Sequence, residues 1–286
     1  MKLRDVLKGK LTEREFSKLK TAHDIVGDIA ILEIPRGLEK KEKYIADALL
    51  KLNKHIKTVL KKKGGHIGEL RLQKYKILAG EKRKETIHKE LGVRVTLHLE
   101  KTYFSPRLVT ERKSIMEQIK PGEEILVMFS GIGIYPLVFA RNTRAKEIIG
   151  IELNPAAHQY GLENVKMNKA KNVVLLQGDV RNVMPKLKRK FDRIVMPLPM
   201  GAEHFLDLAL EKIKNKGIIH FYDFLMEEEI PEKAFEKIQE ACKKAGKKYK
   251  IISWRKCGSA APRKYRVCVD ARILGQRKNG SASGRV

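Results

Sequence analysis

Residues 125–155, ILVMFSGIGIYPLVFARNTRAKEIIGIELNP, constrain the fold of this chain more than any other stretch. The apolar run Ile125 to Phe129 predicts a strand and Ser130-Gly131-Ile132-Gly133 a tight turn; a helix follows, then a second strand from Glu147 to Ile151 that ends in Glu152. This is one βαβ unit. Gly131 and Gly133 allow close approach of backbone to a ligand, and a carboxylate at the tip of the second strand can accept both hydroxyls of a ribose. The unit therefore points to a nucleoside-containing cofactor, although the glycines alone also read as a tight turn with no ligand. A dinucleotide site prefers a third small residue where this chain has Tyr135-Pro136, so the pattern suits S-adenosylmethionine (AdoMet) better.

Beyond this unit strands and helices keep alternating: a helix over 155–167, strands at 173–177 and 193–196, a helix over 202–214, a strand at 218–223 and a helix over 232–245. Such alternation predicts a doubly wound, mostly parallel sheet. Two successive strands, 249–253 and 265–274, close it with an antiparallel strand. Upstream, residues 1–24 are polar and helix-biased, and 26–35 read as strand, turn and strand. From 40 to 62, Ile45, Leu49, Leu50, Leu52, Ile56 and Leu60 recur at helical spacing, predicting one long amphipathic helix that ends at Lys61-Lys62-Lys63-Gly64-Gly65. Strands are expected at 69–78 and 93–99, separated by a polar segment over 80–90, and a helix over 108–119. The expected organisation is a smaller α+β accessory domain over 1–102, an α/β domain over 103–274 and a flexible basic tail over 275–286.

Charge speaks to partners. With 61 Lys+Arg against 34 Asp+Glu the net charge is +27, an excess that suits a polyanion such as nucleic acid. Residues 1–100 carry 25 basic and 14 acidic side chains, leaving 36 and 20 for the rest, so a partner touching both halves is the simplest account. A Lys/Glu-rich thermophile surface would explain part of it. Three cysteines without a C-x-x-C, and histidines without metal-ligand spacing, predict a reducing cytosolic setting and no metal site. No apolar run is long enough to span a membrane.

In open α/β sheets the ligand lies beyond the carboxyl ends of the strands. Gly131 and Gly133 follow the first strand, Glu152 caps the second, Asp179-Val180-Arg181 follows the third and Pro197-Leu198-Pro199 the fourth. For Asp179 alone a helix N-cap is an equal reading.

Several segments then resemble one family: GELR (68–71), LAGE (78–81), TIHKE (86–90), YFSPRLVTER (103–112), ELNP (152–155), GDVR (178–181), IVMPLP (194–199), GIIHFY (217–222) and APRKYRVCVD (261–270). Together they are similar to the archaeal and eukaryotic tRNA (guanosine-37, N1)-methyltransferases over roughly residues 25–274. The resemblance implies a class I AdoMet-dependent methyltransferase fold, Rossmann-like, in a cytoplasmic monomer that acts on the anticodon loop of tRNA. It implies Glu111 as the base that takes the N1 proton and Arg71 as the stabiliser of charge on O6. Tyr103, Arg107, Phe129, Gly131, Gly133, Glu152, Leu153, Asn154, Asp179, Val180, Pro197 and Pro199 are the implied cofactor contacts. Lys61, Lys62, Lys63, Lys82, Arg83, Lys84, Arg255, Lys256, Arg263 and Lys264 are the expected RNA contacts. A first-turn Glu can instead serve only the helix dipole, and Arg71 in a basic segment can instead meet a phosphate.

The sequence departs from the family at Val127, where Asp is usual, and at Pro197, where Asn is usual. The related wybutosine-pathway aminocarboxypropyl transferases are the alternative activity; the intact Leu153-Asn154-Pro155 and Asp179-Val180-Arg181 favour methyl transfer. The non-enzyme alternative is a catalytically inactive tRNA-binding protein on the same scaffold.

Overall fold

In the computed structural model, which describes residues 2–198 and 200–276, the chain opens with two short helices, α1 (Leu3–Leu7) and α2 (Glu13–Lys18). Thr12 and Glu15 form a reciprocal cap at the start of α2. Next come β1 (His23–Val26), β2 (Ile29–Leu32), α3 (Glu42–Leu52), β3 (Thr58–Ile67) and β4 (Leu72–Gly80), whose strands form a four-stranded sheet in that order. Helix α3 covers this sheet, burying Ile45, Ala46 and Leu49.

Two expectations fail here. The helix does not run through residue 62: Asn53 leaves helical geometry at φ −129°, its side chain accepts from the His55 N–H, and Thr58–Lys61 pair in parallel with Ile29–Leu32. The polar segment over 80–90 is also not a simple connection. Glu85–Glu90 form β5, which pairs antiparallel with β6 (Val93–His98). The inward residues of β5 are polar, Thr86 bonding Asp28 and Glu90 bonding Arg112, so the strand shows no apolar alternation. Its hairpin partner β6 packs on the larger sheet: Val93, Val95 and Leu97 share a buried layer with Ile125, Val127 and Phe139.

The alternation predicted downstream is present as α4 (Val109–Met116), β7 (Glu124–Met128), α5 (Ile134–Asn142), β8 (Glu147–Glu152), α6 (Pro155–Met167), β9 (Val173–Gln177), α7 (Val180–Val183), β10 (Phe191–Met196), α8 (Leu206–Lys212), β11 (Ile213–Met226), α9 (Glu232–Lys244), β12 (Lys247–Ala261) and β13 (Lys264–Gln276). The sheet order is β12-β13-β11-β10-β7-β8-β9, and β13 alone runs against the other strands, antiparallel to both β11 and β12. One face is covered by α5, α6 and the β5–β6 hairpin, the other by α8 and α9. The chain leaves β7 toward β8 and β9, then returns to the other side of β7 through β10 and β11. The switch point between β7 and β10 is where such a sheet opens a crevice for a ligand. Pro199 and the tail beyond residue 276 lie outside the described residues.

Candidate active site

The first part of the site is the turn after β7. Phe129, Gly131 and Gly133 take left-handed φ values of 60°, 58° and 81°, and Gly133 is the N-cap of α5. Glycine bears that conformation without the strain a side chain would add. Glu152, at the tip of β8, closes the turn. Its Oε2 accepts from the Gly131 N–H at 2.7 Å and its Oε1 from the Asn154 N–H at 2.8 Å. Burial pushes the Glu152 carboxyl above its usual range, against the pull of these backbone donors. Each carboxylate oxygen has two acceptor positions, so one on each remains for a pair of vicinal hydroxyls. The donor set fits the ribose of a nucleoside.

The neighbouring candidates divide. Asn154 is buried and its side chain is held at both ends: it caps α6 through Ala156 N (3.0 Å) and Ala157 N (3.4 Å) and donates to the Lys101 carbonyl (2.8 Å). It holds the turn in place. Leu153 is exposed, Val180 is buried at the start of α7, and Phe129 packs edge-on against Phe205. Asp179 caps α7, accepting from the Arg181 N–H (2.8 Å) and from the Arg181 side chain, which holds its carboxyl below the usual range. Pro197 is half-buried directly after β10, where the Leu198 N–H donates to the Met196 carbonyl at 2.8 Å. Val127 is wholly buried among apolar residues that include Ile125, Tyr135 and Val195. A carboxylate there would need a partner inside the core. Arg107, expected against the cofactor, has a 70% exposed side chain and donates to Asp24 on β1 at 2.7 Å.

The second part is built on three strands. Alternation places His220, Tyr222 and Phe224 of β11 on one face, and the register sets them opposite Asp270, Cys268 and Arg266 of β13; Arg255 of β12 pairs opposite Cys268. Glu111, in the first turn of α4, meets this row. It accepts from the Tyr222 hydroxyl at 2.7 Å and from two nitrogens of Arg255, whose Nη1 also reaches Asp270 at 2.8 Å. Burial raises the Glu111 carboxyl, and the Arg255 hydrogen bonds and charge outweigh it, leaving Glu111 below the usual carboxylate range. Arg255 is thus no free RNA contact, because one guanidinium serves two buried carboxylates.

The row continues through His220. Arg193 donates to His220 Nε2 at 2.7 Å, and because a guanidinium is only a donor, the proton sits on Nδ1 and points to Asp270 at 2.6 Å. His220 is therefore neutral, in keeping with a burial that lowers its affinity for a proton. Burial opposes the charge on Asp270 too, but the His220 bond and the Arg255 charge hold its carboxyl far below the usual range. His220, Cys268 and Asp270 offer ligand atoms within 4.8 Å of one another. The arginine on either side already meets the charge a cation would supply.

Tyr103 links the two parts. Its carbonyl lies 3.8 Å from where a Cβ on Gly131 would stand, its ring lies 5.6 Å from His66, and Arg71 stands over it at 5.3 Å. Burial, with the charges of Arg71 and Lys62, pushes the His66 imidazole down. Sequence reading missed His66, Tyr222, Arg266 and Asp270. The signal was there in the last three, as alternate polar residues on adjoining strands.

The remaining RNA candidates also divide. Lys61 pairs with Glu42, Arg83 with Asp28 and Glu81, Lys84 with Glu100, Lys256 with Glu227 and Arg263 with Glu228. Lys62, Lys63, Lys82 and Lys264 form no ion pair among the described residues, and the first three are exposed. A separate open cleft of about 710 Å³, lined by Gly27, Asp28, Arg83, Thr86 and His88, shares no residue with the glycine turn, and its Asp28 and Arg83 already pair with each other.

Residues 86–252 match the TRM5/TYW2 methyltransferase domain, and residues 3–83 the TYW2 N-terminal domain. The tRNA (guanine(37)-N(1))-methyltransferase Trm5b of Pyrococcus abyssi is 38% identical over 255 residues, 89% of this chain and 76% of its own. The tRNA(Phe) (4-demethylwyosine(37)-C(7)) aminocarboxypropyltransferase of Methanocaldococcus jannaschii is 36% identical over 208 residues, 72% of this chain and 82% of its own. The solved complex of aTrm5 and tRNALeu aligns with a TM-score of 0.83 at 30% identity, covering 96% of this chain and 78% of that one. With its glycine turn, its closing antiparallel strands and a match over more than half its length, this chain belongs to the TRM5/TYW2 methyltransferase family.

Proposed function

We infer that this chain is an AdoMet-dependent tRNA methyltransferase that modifies N1 of guanosine 37. The observation that carries this reading is the pairing of a nucleoside cradle, Gly131 to Glu152, with a buried carboxylate, Glu111, on the far side of the switch point. The tRNA methyltransferase relative, alike over most of both chains, supplies the substrate class.

AdoMet supplies an electrophilic methyl group. Glu152 holds the ribose hydroxyls through its two free acceptor positions. Asp179, which already accepts from Arg181, supplies an acceptor for an amino group at the edge of the cradle. Glu111 takes the N1 proton. Tyr222 and Arg255 fix its carboxylate, so the orientation is set before substrate arrives. Arg71 meets the negative charge that spreads to O6 as N1 loses its proton, a role suited to a guanidinium with no carboxylate partner among the described residues.

A second reading has its own support. The first domain matches the TYW2 N-terminal model, and an aminocarboxypropyl transferase stands among the relatives. AdoMet labelled separately in the methyl and in the aminobutyrate carbons separates the two: methyl label should enter tRNA and aminobutyrate label should stay in solution. The reverse partition would establish the second reading.

Binding of tRNA rests on Lys62, Lys63, Lys82 and Lys264, the candidates that form no ion pair among the described residues. If all four meet phosphates, log affinity should fall against log salt with a slope of about −3, at roughly 0.7–0.9 per contact. Affinity measured across a salt series checks this, and a flat response would assign those lysines to solubility.

A further inference from the structure

Two arginines in the site form no ion pair among the described residues. Arg71 lies 5.3 Å from the Tyr103 ring centre and 5.8 Å from that of Phe224, and Arg266 lies 5.2 Å from the same Phe224 ring. The Nε of each is buried without a hydrogen-bond partner among the described residues. The side chain of Arg266 makes one polar contact there, to the Tyr103 hydroxyl at 3.3 Å. Arg112, Arg193 and Arg255 are by contrast each bound to a carboxylate. Two like charges resting on one aromatic ring repel each other, and the ring faces relieve only part of that. An oxyanion between or beside them would answer both the charge and the unused donors.

The oxyanion has two sources in this reaction, the carboxylate of the cofactor and a phosphodiester of the RNA. The sheet order favours the second. Glu152 closes β8, whereas Phe224 and Arg266 stand on β11 and β13, past the last paired residue of β10. From β8 to β11 is three strand spacings, about 14 Å. That leaves the ends of β7 and β10 for the rest of the cofactor and puts Arg266 on the substrate side.

We propose that Arg266 binds a phosphodiester flanking the target guanosine, holding the nucleotide on the Phe224–Tyr103 platform while Arg71 remains for the base. The proposal rests on the reading of the chain as a tRNA-modifying enzyme. It makes Arg266 a substrate-positioning residue that senses charge on the backbone.

The test uses the full chain, AdoMet, unmodified tRNA, and ligated tRNA in which either linkage beside guanosine 37 is an uncharged methylphosphonate. Affinity for RNA is measured directly and methylation in parallel, so a wild-type protein that binds without methylating would count against the enzyme reading and leave the affinity comparison intact. For R266Q, tRNA affinity should fall roughly tenfold, the scale of one charged hydrogen bond, with AdoMet affinity unchanged. Neutralising one of the two linkages should cost wild type the same factor and cost R266Q nothing further. R266K should recover part of the loss, which a merely structural role would not give. Additive losses from R266Q and the neutral linkage would overturn the proposal. So would weakened AdoMet binding with intact tRNA affinity, which would mark the cofactor carboxylate as the ligand.

Discussion

Glu111→Gln is expected to lower methyl transfer to tRNA by roughly a hundredfold or more, the usual contribution of a positioned general base, with AdoMet affinity close to wild type. The amide keeps the shape, and its oxygen can still accept from Tyr222 and one Arg255 nitrogen, while its NH2 takes the place of the oxygen that accepts from Arg255 Nε and the basic lone pair is lost. AdoMet affinity should hold because Glu111 lies on α4, against β11 and β12, whereas the cradle lies on β7 and β8. Single-turnover methylation and calorimetry with AdoMet measure the two quantities. Full residual activity would remove Glu111 from the role of base. The pairing with Arg255 makes Glu111 a weaker base than a free carboxylate, which is a reason to expect the substrate to reorganise that contact when it enters.

Arg255→Gln carries the second large effect, and it is one of stability. The substitution leaves Glu111 and Asp270 buried without the cation they share, a change that costs about 3–5 kcal/mol when a buried pair is broken. The pH dependence follows from the directions of the shifts. In the wild type both carboxyls are held below their unfolded values, so each adds stability that is present above the unfolded range and is lost as pH falls through the folded value. In the variant, burial acts with less opposition and the folded values rise. The destabilisation should then be largest near neutral pH and shrink toward pH ~4, where the carboxyls protonate. Urea unfolding at the two pH values reads this directly, and equal midpoints for variant and wild type at neutral pH would show that Arg255 is not the counter-charge of the core. Acid should also inactivate the variant at a higher pH than the wild type, because a Glu111 with a raised value loses its lone pair sooner.

The parallel half of the fold was legible in the sequence because it repeats a physical pattern. Apolar strands such as Ile125–Met128 are buried on both faces, each is followed by a turn residue, and each turn leads to a helix; α6 and β9 stand where the pattern placed them. The first domain was less legible where burial is polar. Strand β5 turns Thr86, His88 and Glu90 inward, toward Asp28 and Arg112, and so carries no apolar period. Asn53 ended α3 by competing for backbone hydrogen bonds, while the apolar spacing of Ile56 and Leu60 continued across the break as a strand.

The site divides along the same line. Local features could be read from adjacent residues: the glycine turn, Glu152 and the α7 cap at Asp179. Features that depend on register between distant strands could not. Arg255 looked like one of a basic run until β12 set it opposite Cys268, within reach of Glu111. Arg266 was not among the sequence candidates, and the shared ring of Phe224 places it beside Arg71. The position of Val127 also becomes plain: it fills the core beneath the site, and the polar groups around Glu111 come instead from β11, β12 and β13.

Mass spectrometry of nucleosides from a tRNA transcript treated with the purified protein and AdoMet decides whether the chain methylates guanosine 37. The expected product is 1-methylguanosine at position 37, absent when guanosine 37 is replaced. Unmodified guanosine at that position would contradict it.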